Sequence, residues 1–290
     1  MVRGIRYIRS ALSLTGRIDF MRYKDIDEFK KVNGYEMDSL SRGDNGAWYP
    51  RVTKILDIKA KPALDVFFKE MGDYECAEAV KNKSAAEGTL MHEAIQGLFV
   101  GEPQKILKEV APGVEAFQRF NEARGIEFHP EFVERRVWSS RHRYAGTIDA
   151  LAWVDGKFGV LDIKTSTGFY PEYNLQTAAY VSALQEFEIK RSLALPREIE
   201  TRWILRVDQH KVCGGCNATL REKGGRKKIR NASVRKAVCP AEDHEWGEQK
   251  GIVELREFPF VYKDMKAFVA AKILWEWEND YWLKKMGYLK

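Results

Sequence analysis

The chain has 290 residues, 44% hydrophobic and 31% charged, with a net charge of +6. That profile suits a globular protein able to bury one substantial core and carry an insertion. No apolar run approaches the roughly 18 residues that a membrane span needs, so no membrane partner is expected.

Residues 1–48 receive no functional assignment. The opening MVRGIRYIRSALSLTGRI is basic, with no acid before Asp19. It reads as an ordinary basic segment rather than a mitochondrial transit peptide, and a cytoplasmic location is expected. Turns are expected at Asn33-Gly34 and within 42–46. From Tyr49 a short β-prone piece leads into a helix started by Pro62. Ser84 and Glu87 have the spacing of a capping box and should open a helix that carries His92. No second His follows at the spacing of a zinc-protease helix, which excludes that chemistry. An amphipathic helix over 113–125 ends near Gly125, and a strand over 131–138 contains Glu134.

The next stretch carries the chemistry. Asp155-Gly156 suits a two-residue hairpin turn, because both central positions need positive φ. The turn pairs Val154 with Lys157, and continuing that register sets Asp149 opposite Asp162 and Thr147 opposite Lys164, with Lys164 on the face of Asp162. Facing carboxylates repel, so a hard divalent cation between them is one explanation, with Lys164 orienting or deprotonating a water or offsetting charge on a phosphoryl group. A solvated hairpin with these groups on its wet face is the other. A helix starting at Pro171 places Gln176 and Tyr180 on one face.

A strand over 201–207 is expected to resume over 251–258 by sequence pattern, which makes the residues between them an excursion from one sheet. Within it stand Cys213, Cys216, Cys239 and His244, two close pairs with 22 residues between Cys216 and Cys239. That is the logic of a structural Zn²⁺ site, with His210 as a rival fourth ligand and disulfides disfavoured without a secretion signal. Residues 217–236 hold eight cations against one acid, Glu222, a net +7 that exceeds the charge of the whole chain. Such a loop is a footprint for a polyanion, and Arg226, Lys227, Lys228 and Arg230 are the expected phosphate contacts. The run 264–286 reads as one long helix.

Gly146-Thr147-Ile148-Asp149, then Asp162-Ile163-Lys164-Thr165, then Gln176-x-x-x-Tyr180 resemble the PD-(D/E)xK nucleases of the RecB type. This branch includes the mitochondrial genome maintenance exonuclease, related phage exonucleases and the CRISPR-associated iron–sulfur nucleases. The resemblance implies an α/β fold with a restriction-endonuclease-like mixed central sheet flanked by helices. Residues 49–209 would form its core, 210–249 a basic metal-binding insertion, and 250–290 the strand and helix that complete it. It also implies metal-dependent hydrolysis of DNA, from free ends and with a preference for single strands. Mg²⁺ or Mn²⁺ would be held by Asp149, Asp162 and the Ile163 carbonyl. His92, in Gly88-Thr89-Leu90-Met91-His92, would be a further ligand, with Glu134 nearby. Lys164 would position water, Gln176 and Tyr180 would steer the substrate backbone, and residues 49–64 would form part of the DNA-binding scaffold. The same resemblance supplies a rival to zinc, a [4Fe–4S] cluster on Cys76, Cys213, Cys216 and Cys239. The spacing and His244 favour zinc and leave Cys76 as a buried thiol in a helical segment. A non-catalytic, zinc-containing DNA-binding module is the alternative function.

Overall fold

The computed structural model describes residues 23–37, 47–102, 105–232, 239–240 and 242–290. The expected turn at 42–46, the basic start of the chain, and Arg235 and Lys236 lie outside the described residues. The architecture is mixed α/β, a central mixed sheet flanked by helices. Among the described residues no helix is long and apolar enough to cross a membrane.

Two strands organise the sheet. β7 (Lys157–Lys164) is buried at six consecutive positions, as a strand covered on both faces must be. It runs parallel to the twelve-residue β8 (Thr201–Val212). β6 (Ala150–Val154) and β3 (Glu127–Phe128) continue the sheet beyond β7, and β11 (Lys250–Glu257) pairs antiparallel with β8. A separate ribbon joins β4 (Arg135–Ser139) to β5 (Tyr144–Ile148). Another joins β1 (Gly34–Met37) to β2 (Ala47–Pro50).

Alternation along β6 and β7 sorts their apolar side chains onto two faces. Ala150, Ala152, Leu161 and Ile163 pack with Met91, Ile95 and Phe99 of α4 (Tyr74–Phe99) and with Val114 and Phe117 of α5 (Ala111–Arg124). Leu151, Phe158 and Val160 face the other core, with Tyr180 and Leu184 of α6 (Pro171–Leu184) and Phe268 of α8 (Tyr262–Glu278). Each large aliphatic or aromatic side chain so buried contributes about 1.5–3 kcal/mol. α1 (Ile26–Asn33), α2 (Val52–Leu56), α3 (Pro62–Met71), α7 (Phe187–Leu193) and α9 (Asp280–Lys285) complete the helices.

Asp155 and Gly156 have φ of +52° and +75°, and the register runs from Val154↔Lys157 to Ala150↔Leu161 as the turn dictates. It stops there. The chain bends at Asp149, and β5 leaves to pair with β4, so Thr147 faces Arg136 rather than Lys164. The expected strand over 131–138 starts only at Arg135, because a 3₁₀ turn at Pro130–Phe132 and a left-handed Glu134, φ +52°, precede it. Ser84 caps nothing. Asp73 does, its Oδ1 accepting the Glu75 N–H at 3.0 Å, and α4 runs unbroken past Ser84. Asn33-Gly34 is no reverse turn, since Asn33 ends α1 and extended Gly34 begins β1. The single C-terminal helix is broken at Asn279, whose buried amide donates to the Trp275 carbonyl at 2.8 Å.

β8 runs five residues past the expected Val207. Most of the basic stretch is no loop but a hairpin, β9 (Thr219–Lys223) and β10 (Arg226–Arg230), turning at Gly224-Gly225 with φ of +63° and +82°. β9 pairs with the tip of β8 and runs back towards the end of β7.

Candidate active site and metal cluster

The bend that takes Asp149 out of the ladder turns its carboxylate towards β7. Its Oδ2 accepts the Ile163 N–H at 2.6 Å and lies 2.9 Å from His92 Nε2. The side-chain donor atoms of His92, Glu134 and Asp149 all fall within 4.8 Å of one another. Glu134 reaches this group because of its left-handed backbone, which is tied to the bend by its own N–H donating to the Asp149 carbonyl at 3.1 Å. Its carboxylate accepts from Gln96 Nε2, one helical turn beyond His92 on α4.

Asp162 is completely buried beside this trio, with Lys164 Nζ 2.7 Å from its Oδ2. Its Oδ1 has no hydrogen-bond partner among the described residues. Burial and the Asp149 charge push the Asp162 carboxyl up, to about 6, against the pull of Lys164. Burial also works against ionised Asp149, but His92, Lys164 and the Ile163 N–H hold its carboxyl below the ordinary value. Burial resists charge on His92 and on Lys164 alike, and the two aspartates outweigh it, so both bases are raised.

Gln176 Nε2 donates to the Tyr180 hydroxyl at 3.1 Å, as expected of positions four apart. Burial, with the Asp162 charge behind it, raises the Tyr180 phenol well above its usual value, which keeps it a neutral donor. The Tyr180 ring explains Gly146, where an added Cβ would lie 2.5 Å from it. Gly88 has a similar reason, since a Cβ there would meet Thr165 Oγ1 at 2.7 Å.

Three cations grip the turn after Lys164, a contact that sequence reading did not indicate, although Arg221 and Lys223 belong to the expected basic stretch. Lys223 Nζ donates to the Thr165 carbonyl at 2.6 Å and to its Oγ1 at 2.9 Å. Arg221 donates to the same carbonyl at 3.3 Å, and Arg206 to the Ser166 carbonyl at 3.1 Å. Asp208 joins the two arginines, accepting from Arg221 Nε at 2.8 Å and Arg206 Nη1 at 3.3 Å. The available signal was period-two charge, Arg206 and Asp208 in β8 and Arg221 and Lys223 in β9, visible once these stretches are read as strands.

In the excursion, Cys213, Cys216, Cys239 and His244 gather with all four donor atoms within 4.8 Å, a possible Cys₃His cluster compatible with zinc. The backbone N–H of Cys216 and then His244 lower the Cys213 thiol to about 6, while Cys216 chiefly raises that of Cys239, to about 11. His244 stacks on Trp246, ring centroids 4.6 Å apart, and Gly214 donates to the Glu245 carbonyl, tying the two halves together. His210 is not in this group; it sits in β8 opposite Lys250. Nor is Cys76, and the expectation that it is buried fails: it is exposed in the first turn of α4, where Ala77 rather than Cys76 faces inward. Four ligands are thus assembled without it.

Compared with protein-family models and with curated proteins, the chain matches none.

Proposed function

We propose that this protein is a metal-dependent deoxyribonuclease with a PD-(D/E)xK-type fold, hydrolysing phosphodiester bonds from free ends and preferring single strands. The observation that carries this reading is the buried, donor-less Asp162 Oδ1 beside Asp149, Glu134 and His92. A fully buried carboxylate oxygen without a donor is costly, and a set of carboxylates with one imidazole suits Mg²⁺ or Mn²⁺. Asp149, Asp162, His92, Glu134 and the Ile163 carbonyl would hold the ion, which would supply a more acidic bound water and charge compensation on the phosphoryl oxygens. Lys164, kept protonated by its two aspartates, donates to the attacking water or the phosphate. Gln176 and Tyr180 donate to substrate oxygens and set the backbone's direction. Zinc in the Cys₃His cluster has a structural role.

The test is cleavage of end-labelled linear DNA against covalently closed circles of the same sequence, with and without Mg²⁺ or Mn²⁺. Metal-dependent loss of the linear strand with the circle spared is expected. Rapid cutting of closed single-stranded circles would make the enzyme an endonuclease, and inert DNA under every metal would leave a non-catalytic binding module.

A further inference from the structure

The two faces of the basic hairpin are unlike. On one, Lys227 pairs across the strands with Glu222 and Ile229 with Leu220, ordinary stabilising partners. On the other, Arg226 lies directly opposite Lys223 and Lys228 directly opposite Arg221, with Arg230 next along the same face. Like charges facing each other across a strand pair are destabilising. The fold relieves this only in part. Glu70 pairs with Arg226 and, at 3.9 Å, with Lys228, while Asp208 pairs with Arg221. Arg230 has no ion-pair partner among the described residues.

This cationic face closes one side of a cleft of about 460 Å³. The opposite side is α3, a helix with no buried residue that presents Ala63, Val66 and Phe67 to the cleft, Val66 at 51% exposure and the Phe67 ring 5.0 Å from the Arg226 guanidinium, while its Glu70 makes the ion pairs with Arg226 and Lys228. Thr167 and Tyr170 line it too, three and six residues beyond Lys164. The cleft therefore adjoins the segment that follows Lys164, with none of the candidate catalytic side chains in its lining, and has one cationic wall and one mainly apolar wall.

We infer that this cleft seats a single DNA strand, phosphates on the hairpin's cationic face and unstacked bases on the α3 wall. The identity of the polyanion rests on the nuclease reading. The strandedness rests on the walls: paired cations want closely spaced phosphates, and an apolar wall gains contact only from base faces that a duplex hides in its own stack. The volume fits a few nucleotide units at most, within the range of small-ligand clefts, about 300–1,000 Å³. Lys227, on the far face, takes no part.

The test is fluorescence anisotropy with a labelled oligothymidylate, a hairpin duplex and phosphatidylserine vesicles as competitor, over a salt series. It is run in the Asp162→Asn protein so that nothing is cut. Lys228→Ala with Arg230→Ala should weaken single-strand binding about tenfold and reduce the slope of log affinity against log salt by about 0.7 for each phosphate left without its cation. Lys227→Ala should change neither. Phe67→Leu should weaken single strands and leave the duplex unaffected. Equal effects from the two faces, tighter binding of duplex, or displacement by vesicles at matched charge would overturn the proposal. Because binding is read without cleavage, such a failure leaves the nuclease reading to its own test, and a protein that binds as expected yet never cuts fails that reading alone.

Discussion

Among single residues, those with fixed sequence spacing were legible and those positioned by the tertiary fold were not. Asp162 and Lys164 share one strand face and Gln176 and Tyr180 one helical face by their periods alone, whereas Asp149 reaches them through a bend that takes it out of the expected register, and His92 meets it from α4. The position of Glu134 depends on a left-handed residue ahead of β4 that no propensity announces, and the Lys223 contact with Thr165 spans 58 residues. The central expectation is that Asp162→Asn or Lys164→Ala lowers cleavage by about 10²-fold or more while binding and folding persist, as removal of charge stabilisation at a reacting phosphate should. Wild-type rates in either variant would end the assignment. Lys223 gives a pH signature. Burial first, then Arg221, lower its ammonium to about 8, with Asp208 and Glu87 pulling the other way. In the free protein it is charged below that value and neutral above, and a strand's phosphates favour the charged form. Affinity for single strands should therefore fall as pH rises through 8, and Lys223→Arg should flatten the profile. A profile unchanged by that substitution would show that Lys223 meets no phosphate.

At the scale of elements, local chemistry was decisive where nothing distant competed with it. Asp155-Gly156 fixed five cross-strand pairs, Pro62 and Pro171 opened their helices, and Gly125, φ +66°, closed α5. The register failed at Asp149 because the chain bends there and β5 pairs with β4 instead of continuing along β7. The Ser84 and Glu87 capping box failed because Asp73 supplies an earlier cap and helix formers fill the interval. Glu87 has another partner, its Oε2 accepting the Gly224 N–H at 3.0 Å, while a Cβ on Gly224 would strike Ser84 Oγ at 2.1 Å. Both residues that imitate a cap are the seat on which the hairpin's glycine turn rests. The basic hairpin reads as a loop in sequence because its charge drowns the period-two pattern that places Lys227 apart from Arg226, Lys228 and Arg230.

Across the whole molecule, β8 joins the two candidate centres. Ile204 and Arg206 lie beside Asp162 and Lys164, and the same strand ends at Val212, immediately before the first cysteine of the cluster. From there β9 returns to grip Thr165. The excursion's own core is small, with Cys213, Cys216 and Ala218 buried and Cys239 and Trp246 packed against them, so a metal held by the four ligands would supply binding energy that this core lacks. Loss of the metal should release the hairpin and with it the cationic wall and the hold on the turn after Lys164, while the apolar layers around β6 and β7 persist. Elemental analysis and single-strand binding together test this. The purified protein should carry about one zinc, retained in Cys76→Ala and lost in Cys216→Ala, and the zinc-free variant should keep its helical signal yet lose most of its single-strand affinity. Brown protein with about four irons, lost on changing Cys76, would replace the Cys₃His zinc with an iron–sulfur cluster. Zinc-free protein that binds DNA as the wild type does would separate the cluster from the hairpin altogether.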